Sequence, residues 1–244
     1  EELGILAEIL SCALEENLVF AWQPAASLGN IQRFMSQLNP RQQEAVRAIS
    51  GPVLVLAGAG SGKTSVITRK IAYLVQQCGI SARYIVAVTF TNKAAAEMRE
   101  RISQLLGQSP QGMWVGTFHG LAHRLLRAHW QEAGLQDGFA ILDSDDQLRI
   151  IKRVMTELGL DDKRWPPRQA QWFINGQKDE GLRPQHIQPA GDHYLTTMLQ
   201  VYSEYEAACA RNNAVDFGEL LLRTLELLRD NQSLLEHYQR RFRH

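Results

Sequence analysis

Lys63 and Thr64 close a run of small residues, Ala57-Gly58-Ala59-Gly60-Ser61-Gly62, and residue types in that order suit the holding of a polyphosphate. Gly60 and Gly62 can take backbone angles that turn successive N–H groups inward, toward phosphate oxygens. The Lys63 ammonium would then reach the β- and γ-phosphates, and the Thr64 hydroxyl would bind Mg²⁺. Ala57 stands where the strict pattern has glycine, and that position needs only a small residue. The plainer reading, a glycine-rich turn with an incidental lysine, does not account for the pattern on either side. Such a loop selects ATP or GTP. It does not say what work the nucleotide drives.

The loop needs a strand before it and a helix after it. P-V-L-V-L-A (52–57) is a short continuous apolar run, expected as a strand buried on both faces. From Lys63 the sequence reads as a helix with Val66, Ile67, Ile71, Leu74 and Val75 on one side, and its N-terminal end adds positive potential to the loop. Upstream, Asn39-Pro40 opens another helix, with Asn39 as cap and Pro40 at the first position. Gln42 falls third, as in a capping box. By spacing alone Gln42 could equally complete the cap or pair its amide with the donor and acceptor edge of adenine.

The pattern repeats downstream. Y-I-V-A-V-T-F (84–90) reads as a buried strand, 92–106 as a helix ended by Gly107, and M-W-V-G-T-F (113–118) as a third, shorter strand. Strand and helix in alternation imply a parallel α/β sheet with right-handed crossovers. Beyond Phe118 the chain turns helical, at about 119–134, 144–159, 166–178, 193–212, 216–229 and 231–241.

Two further groupings could carry chemistry. His119 and His123 lie four apart, but H-G-L-A-H lacks the glutamate and third ligand of a zinc site. F-A-I-L-D (139–143) has the outline of a strand ending in a Mg²⁺-binding aspartate. Asp143-Ser144-x-x-Gln147 equally makes a helix cap.

The chain has 244 residues, enough for one large or two modest domains, and at 45% hydrophobic content it can bury a core. Its 26 Lys+Arg balance 26 Asp+Glu, so any nucleic-acid site must be a local patch. Cys12, Cys78 and Cys209 are far apart and odd in number, which suggests a reduced, cytoplasmic protein without a disulfide framework. No stretch has the length and apolarity of a membrane span, and no membrane role is expected. Met35-S-Q-L-N-P-R-Q-Q reads like a natural beginning, and residues 1–34 form an extension of unknown role.

From about Met35 to His244 the sequence resembles superfamily 1 DNA helicases of the UvrD/Rep/PcrA type, most of all the UvrD branch. The resemblance rests on L-N-P-R-Q-Q-E-A-V (38–46), L-A-G-A-G-S-G-K-T (56–64), V-T-F-T-N-K-A-A-A-E-M-R-E-R-I (88–102) and W-V-G-T-F-H-G-L-A-H-R-L-L-R (114–127). W-P-P-R-Q-A-Q-W-F-I-N (165–175), Q-K-D-E-G-L-R-P (177–184) and V-D-F-G-E-L-L-L-R (215–223) add to it.

The resemblance implies that residues 57–65 hold ATP and Mg²⁺, with Gln42 on the adenine. Ser65 stands where relatives usually carry an arginine near the nucleotide. Phe90, Thr91, Asn92 and Lys93 match a motif that lies under single-stranded DNA. An aromatic there can stack on a base, while the next helix's N-terminus holds phosphate. The plainer expectation is a buried Phe90 beside a helix cap. Thr117, Phe118 and His119 match a further DNA-contacting motif.

The implied fold is an α/β, RecA-like P-loop domain with an incomplete parallel sheet (1A, here 35–117) and a mostly helical accessory domain (1B, here 118–244). The implied activity is ATP-driven 3′→5′ movement on single-stranded DNA and at single-strand/duplex junctions, in DNA repair, with repair proteins as possible partners. The family's acid pair, in a D-E-x-Q-D motif, is expected beyond His244. The chain by itself should therefore turn over ATP weakly or not at all. Two alternatives stay open: a different P-loop NTPase using Asp143 as Mg²⁺ ligand, and a non-catalytic nucleotide- or DNA-binding module.

Overall fold

The computed structural model describes residues 35–58 and 60–244. Expectations for residues 1–34, and for Ala59, lie outside the described residues. In chain order the elements are α1 (Pro40–Arg47), α2 (Lys63–Gln76), β1 (Val86–Thr89), α3 (Asn92–Leu106), β2 (Trp114–Thr117), α4 (Phe118–Ala128), β3 (Ala140–Ile141), α5 (Ser144–Glu157), α6 (Pro167–Asp179), α7 (His193–Arg211), β4 (Ala214–Val215), α8 (Phe217–Asp230) and α9 (Gln232–Arg241). Short 3₁₀ turns occupy Ala82–Tyr84 and Pro184–His186. Among the described residues, one compact unit holds the chain up to Leu121 together with Ser233–His244, and the other holds Ala122–Gln232. The sequence-based boundary at 117/118 therefore differs from the observed division, because the last residues join the first unit.

In the first unit β1 and β2 pair in parallel, Val86 opposite Trp114 and Thr89 opposite Thr117. Helix α3 connects them, as the alternating pattern predicts. Ile71 and Leu74 of α2, Met98 and Ile102 of α3, and Ile85, Ala87, Met113 and Val115 along the strands form its larger core. A smaller core joins Met35, Leu38, Val46 and Val66, fixing α1 on α2. Burying each such large side chain contributes about 1.5–3 kcal/mol. Tyr238 and Phe242 place their rings 5.8 and 5.0 Å from that of Trp114, so the C-terminal segment packs on β2.

One expected element is not formed. Residues 52–57 take no strand pairing, and Leu54 and Leu56 are 85% and 87% exposed. A strand's backbone hydrogen bonds come from its neighbours, and among the described residues no strand lies alongside this run. Apolar content alone does not make the ladder.

The helical unit packs α5, α6 and α7 around Ile151, Met155, Trp165, Ile174, Met198, Tyr202 and Tyr205. β3 and β4 form a separate two-stranded parallel pair. No described helix is long and apolar enough to cross a membrane.

Candidate functional site

Helix α2 begins at Lys63, directly after the glycine-rich loop. Gly60 and Gly62 both have left-handed backbone, with φ of 73° and 82°. That conformation is costly for residues with a Cβ, so these two positions require glycine. At Gly58 and Gly60 a Cβ would meet nothing within 4 Å, which leaves open space over the loop. Ser61 Oγ and Ser61 N donate to the Gly58 carbonyl at 2.7 and 3.4 Å, closing the turn. Lys63 folds back, its Nζ donating to the carbonyls of Ala57 (2.9 Å) and Gly58 (2.7 Å). These are donor bonds that phosphate oxygens could take over.

Gln42 is held at both ends of its amide. Its Oε1 accepts from Asn39 N and its own N donates to Asn39 Oδ1, each at 2.9 Å, completing the capping box of α1. Its Nε2 donates to the Ser61 carbonyl at 3.0 Å. A Cβ on Gly62 would come within 3.3 Å of that nitrogen. The cap therefore positions Gln42 on the loop, and the two roles left open by spacing do not exclude each other. Thr64 is half-buried in the first turn of α2, and its carbonyl accepts from Thr68 Oγ1 at 2.9 Å. Ser65 Oγ accepts from Arg69 Nε at 3.3 Å, so a guanidinium approaches position 65 from one turn further along.

At the C-terminal end of β1, Phe90 is 74% exposed rather than buried, which corrects the plainer expectation. Its ring lies 5.8 Å from that of Phe118, so the two candidate motifs converge. Thr91 caps α3 by accepting from Ala94 N at 3.1 Å, and Asn92 and Lys93 are exposed in its first turn. Thr117 Oγ1 accepts from Gly120 N at 3.1 Å at the head of α4, and Phe118 and His119 are half-buried. His123 Nε2 accepts from Arg127 Nε at 2.9 Å. Burial and the Arg127 charge hold His123 below the ordinary histidine pKa. Asp143 caps α5, its Oδ1 accepting from the Asp145 and Asp146 amides at 2.9 and 2.7 Å. It belongs to the helical unit, and β3 before it is not part of the β1–β2 sheet.

The helical unit also contains a buried ionic cluster whose members are too far apart in the chain to form a local motif. Lys178 Nζ lies 2.8 Å from Asp216 Oδ2 and 2.9 Å from Glu219 Oε2. Tyr205 Oη donates to Asp216 Oδ2 at 2.7 Å. Arg183 forks onto Glu219 at 2.8 and 2.9 Å and also pairs with Glu206 and Glu226. A Cβ on Gly218 would stand 3.2 Å from Lys178 Cβ, so the glycine lets α8 approach α6. The stretches 177–184 and 215–223 supply Lys178, Arg183, Asp216 and Glu219, whereas Tyr205, Glu206 and Glu226 lie outside both.

These features define a mixed α/β protein with a Lys-Thr phosphate-loop sequence at the head of a helix and an exposed aromatic beyond a parallel strand. The chain belongs to the UvrD/REP helicase family, whose N-terminal domain matches residues 38–244. It is 56% identical over 213 residues to DNA helicase II of Escherichia coli (strain K12), covering 87% of this chain and 30% of that protein. It is 50% identical over 219 residues to DNA helicase II of Haemophilus influenzae, covering 88% and 30%. It is 40% identical over 213 residues to the ATP-dependent DNA helicase PcrA of Bacillus subtilis, covering 87% and 29%. The chain thus spans under a third of the length of these relatives.

Proposed function

We propose that this chain is the nucleotide-binding part of an ATP-dependent DNA helicase, with a RecA-like 1A unit and a helical 1B unit. The observation that carries the reading is the loop at the head of α2. Two glycines have the required left-handed backbone, Lys63 is bonded within the loop, and Gln42 is pinned beside Ser61. Lys63 would exchange its carbonyl partners for phosphate oxygens, and α2 would add its N-terminal potential. Gln42 Nε2 would turn to adenine, favouring ATP over GTP. Mg²⁺, held by the Thr64 hydroxyl together with the nucleotide's own phosphates, would offset their charge.

Phe90 and Phe118 would give bases a stacking surface, and Thr91, Asn92, Lys93, Thr117 and His119 would contact phosphates. The substrate is single-stranded DNA and its junctions with duplex, followed 3′→5′, in DNA repair within the cytoplasm. The names of the relatives, DNA helicase II and ATP-dependent DNA helicase PcrA, support the substrate and the energy source.

A chimera tests the reading. Residues 38–244 replace the matching region of the E. coli DNA helicase II, and strand displacement is followed on a 3′-tailed duplex. ATP-dependent displacement, lost on Lys63→Ala, is expected. A folded chimera that binds ATP but displaces no strand, or one indifferent to Lys63→Ala, contradicts it.

A further inference from the structure

The β1–β2 pair has two ends. Its C-terminal ends lead into Phe90–Lys93 and Thr117–His119, whereas its N-terminal ends, Val86 and Trp114, open onto a different surface. There Arg83, Tyr84, His237, Arg240, Arg241 and Arg243 line an open cleft of about 500 Å³. The backbone brings the two arginine-bearing segments together: Val86 N donates to the His244 carbonyl at 2.9 Å, and Arg243 N donates to that of Tyr84 at 3.0 Å. Aromatic rings carry the guanidiniums. Arg83 Cζ lies 4.8 Å and Arg243 Cζ 5.4 Å from the centre of the Tyr84 ring, and Arg241 Cζ lies 5.1 Å from that of Trp114. Arg240 meets Glu236 at 3.5 Å, an exposed pair that contributes little.

Like charges gathered at an exposed surface repel one another and favour an anion. Arg83 Nη2 donates to Tyr84 Oη at 2.7 Å, which fixes the guanidinium, and its further N–H groups suit the oxygens of a phosphate. The open shape suits a polymer backbone. The exposed His237 ring among the arginines offers a face on which a base can stack, which an acidic peptide would not use.

We propose that this cleft binds the sugar-phosphate backbone of a nucleic-acid strand. It would be a second contact, separated from the Phe90 end by the length of β1, about 13 Å for four residues. The inference rests on the reading that the protein acts on DNA, and adds a place where the strand is held. Contact through phosphates makes the binding independent of base sequence and dependent on salt.

The test uses the 244-residue chain and a labelled oligothymidylate, with fluorescence anisotropy over a series of KCl concentrations. Arg83→Gln with Arg240→Gln should weaken binding and flatten the slope of log K against log [salt] by about 1.4, at roughly 0.7 per single-strand phosphate. Arg83→Lys with Arg240→Lys, which keeps both charges, should retain the slope, and near-ultraviolet circular dichroism should show all forms folded. An unchanged slope in the glutamine variant overturns the cleft while leaving the DNA reading standing. Poly-glutamate that binds in place of the oligonucleotide, and is lost on the same substitutions, assigns the cleft to an acidic peptide and overturns it too. Failure of the DNA reading looks different: the wild-type chain then gives no saturable oligothymidylate binding.

Discussion

Gln42 spans two structures with one side chain, its Oε1 accepting from Asn39 N and its Nε2 donating to the Ser61 carbonyl 3.0 Å away. Gln42→Glu keeps the acceptor and removes the donor. It should leave stability within about 0.5 kcal/mol while lowering the preference for ATP over GTP. Gln42→Ala removes both and should also cost about 1 kcal/mol of stability. Urea unfolding and competition between the two nucleotides separate the effects. Equal ATP preference in all three forms would remove Gln42 from the nucleotide site.

Lys178 holds two carboxylates in the interior of the helical unit. Lys178→Met leaves Asp216 and Glu219 buried with less compensation, and such broken pairs cost about 3–5 kcal/mol. Urea unfolding followed by circular dichroism measures this. A loss under about 1 kcal/mol would mean that the cluster is hydrated and relaxes.

Acid should destabilise the helical unit. Burial alone would raise the pKa of Glu219, but Lys178, Arg183 and Arg223 outweigh it and hold the carboxyl well below the ordinary 4.5. A depressed carboxyl contributes stability that is present above the unfolded value and lost as pH falls through the folded one. Burial opposes the charge on Lys178, yet Asp216 and Glu219 raise its pKa above 10.5, so its contribution is lost only on the alkaline side. Glu206, raised by burial against the pull of Arg183, acts in the opposite sense, its contribution lost as pH rises through the folded value. Unfolding free energy should thus begin to decline below about pH 6.5, where the depressed His123 gains its proton more readily in the unfolded chain, and fall further below about pH 4.5. Glu219→Gln should flatten that acid limb, and an unaltered limb would place the acid-sensitive group elsewhere.

Local signals were legible in the sequence and non-local ones were not. Helices α1, α2 and α3 follow from apolar spacing, helped by the Asn39 cap of α1 and by Thr91 and Gly107 at the two ends of α3, all within a few residues of where they act. The 52–57 run reads as a strand because pairing partners leave no mark in their neighbour's sequence. Phe90 looks like a core residue, and its exposure depends on what the fold leaves uncovered beyond β1. Lys178 and Asp216 lie 38 residues apart, so nothing beside either one signals a buried pair. At the candidate site the loop itself was readable, whereas the hold of Gln42 on Ser61 required the packing of α1 on α2.

The exposed run from Val53 to Leu56 predicts association of the 244-residue chain, since covering each leucine is worth about 1.5–3 kcal/mol. Leu54→Ser with Leu56→Ser should shift the sedimentation profile toward monomer. An identical profile would show that these leucines are not the contact.

Titration of a fluorescent ATP analogue against the chain in Mg²⁺, for wild type and Lys63→Ala, asks most directly whether residues 57–64 cradle a triphosphate. Saturable binding that weakens at least about tenfold on loss of the ammonium, some 1.4 kcal/mol, is expected. Binding of equal strength in the two proteins, or none in the wild type, would contradict it.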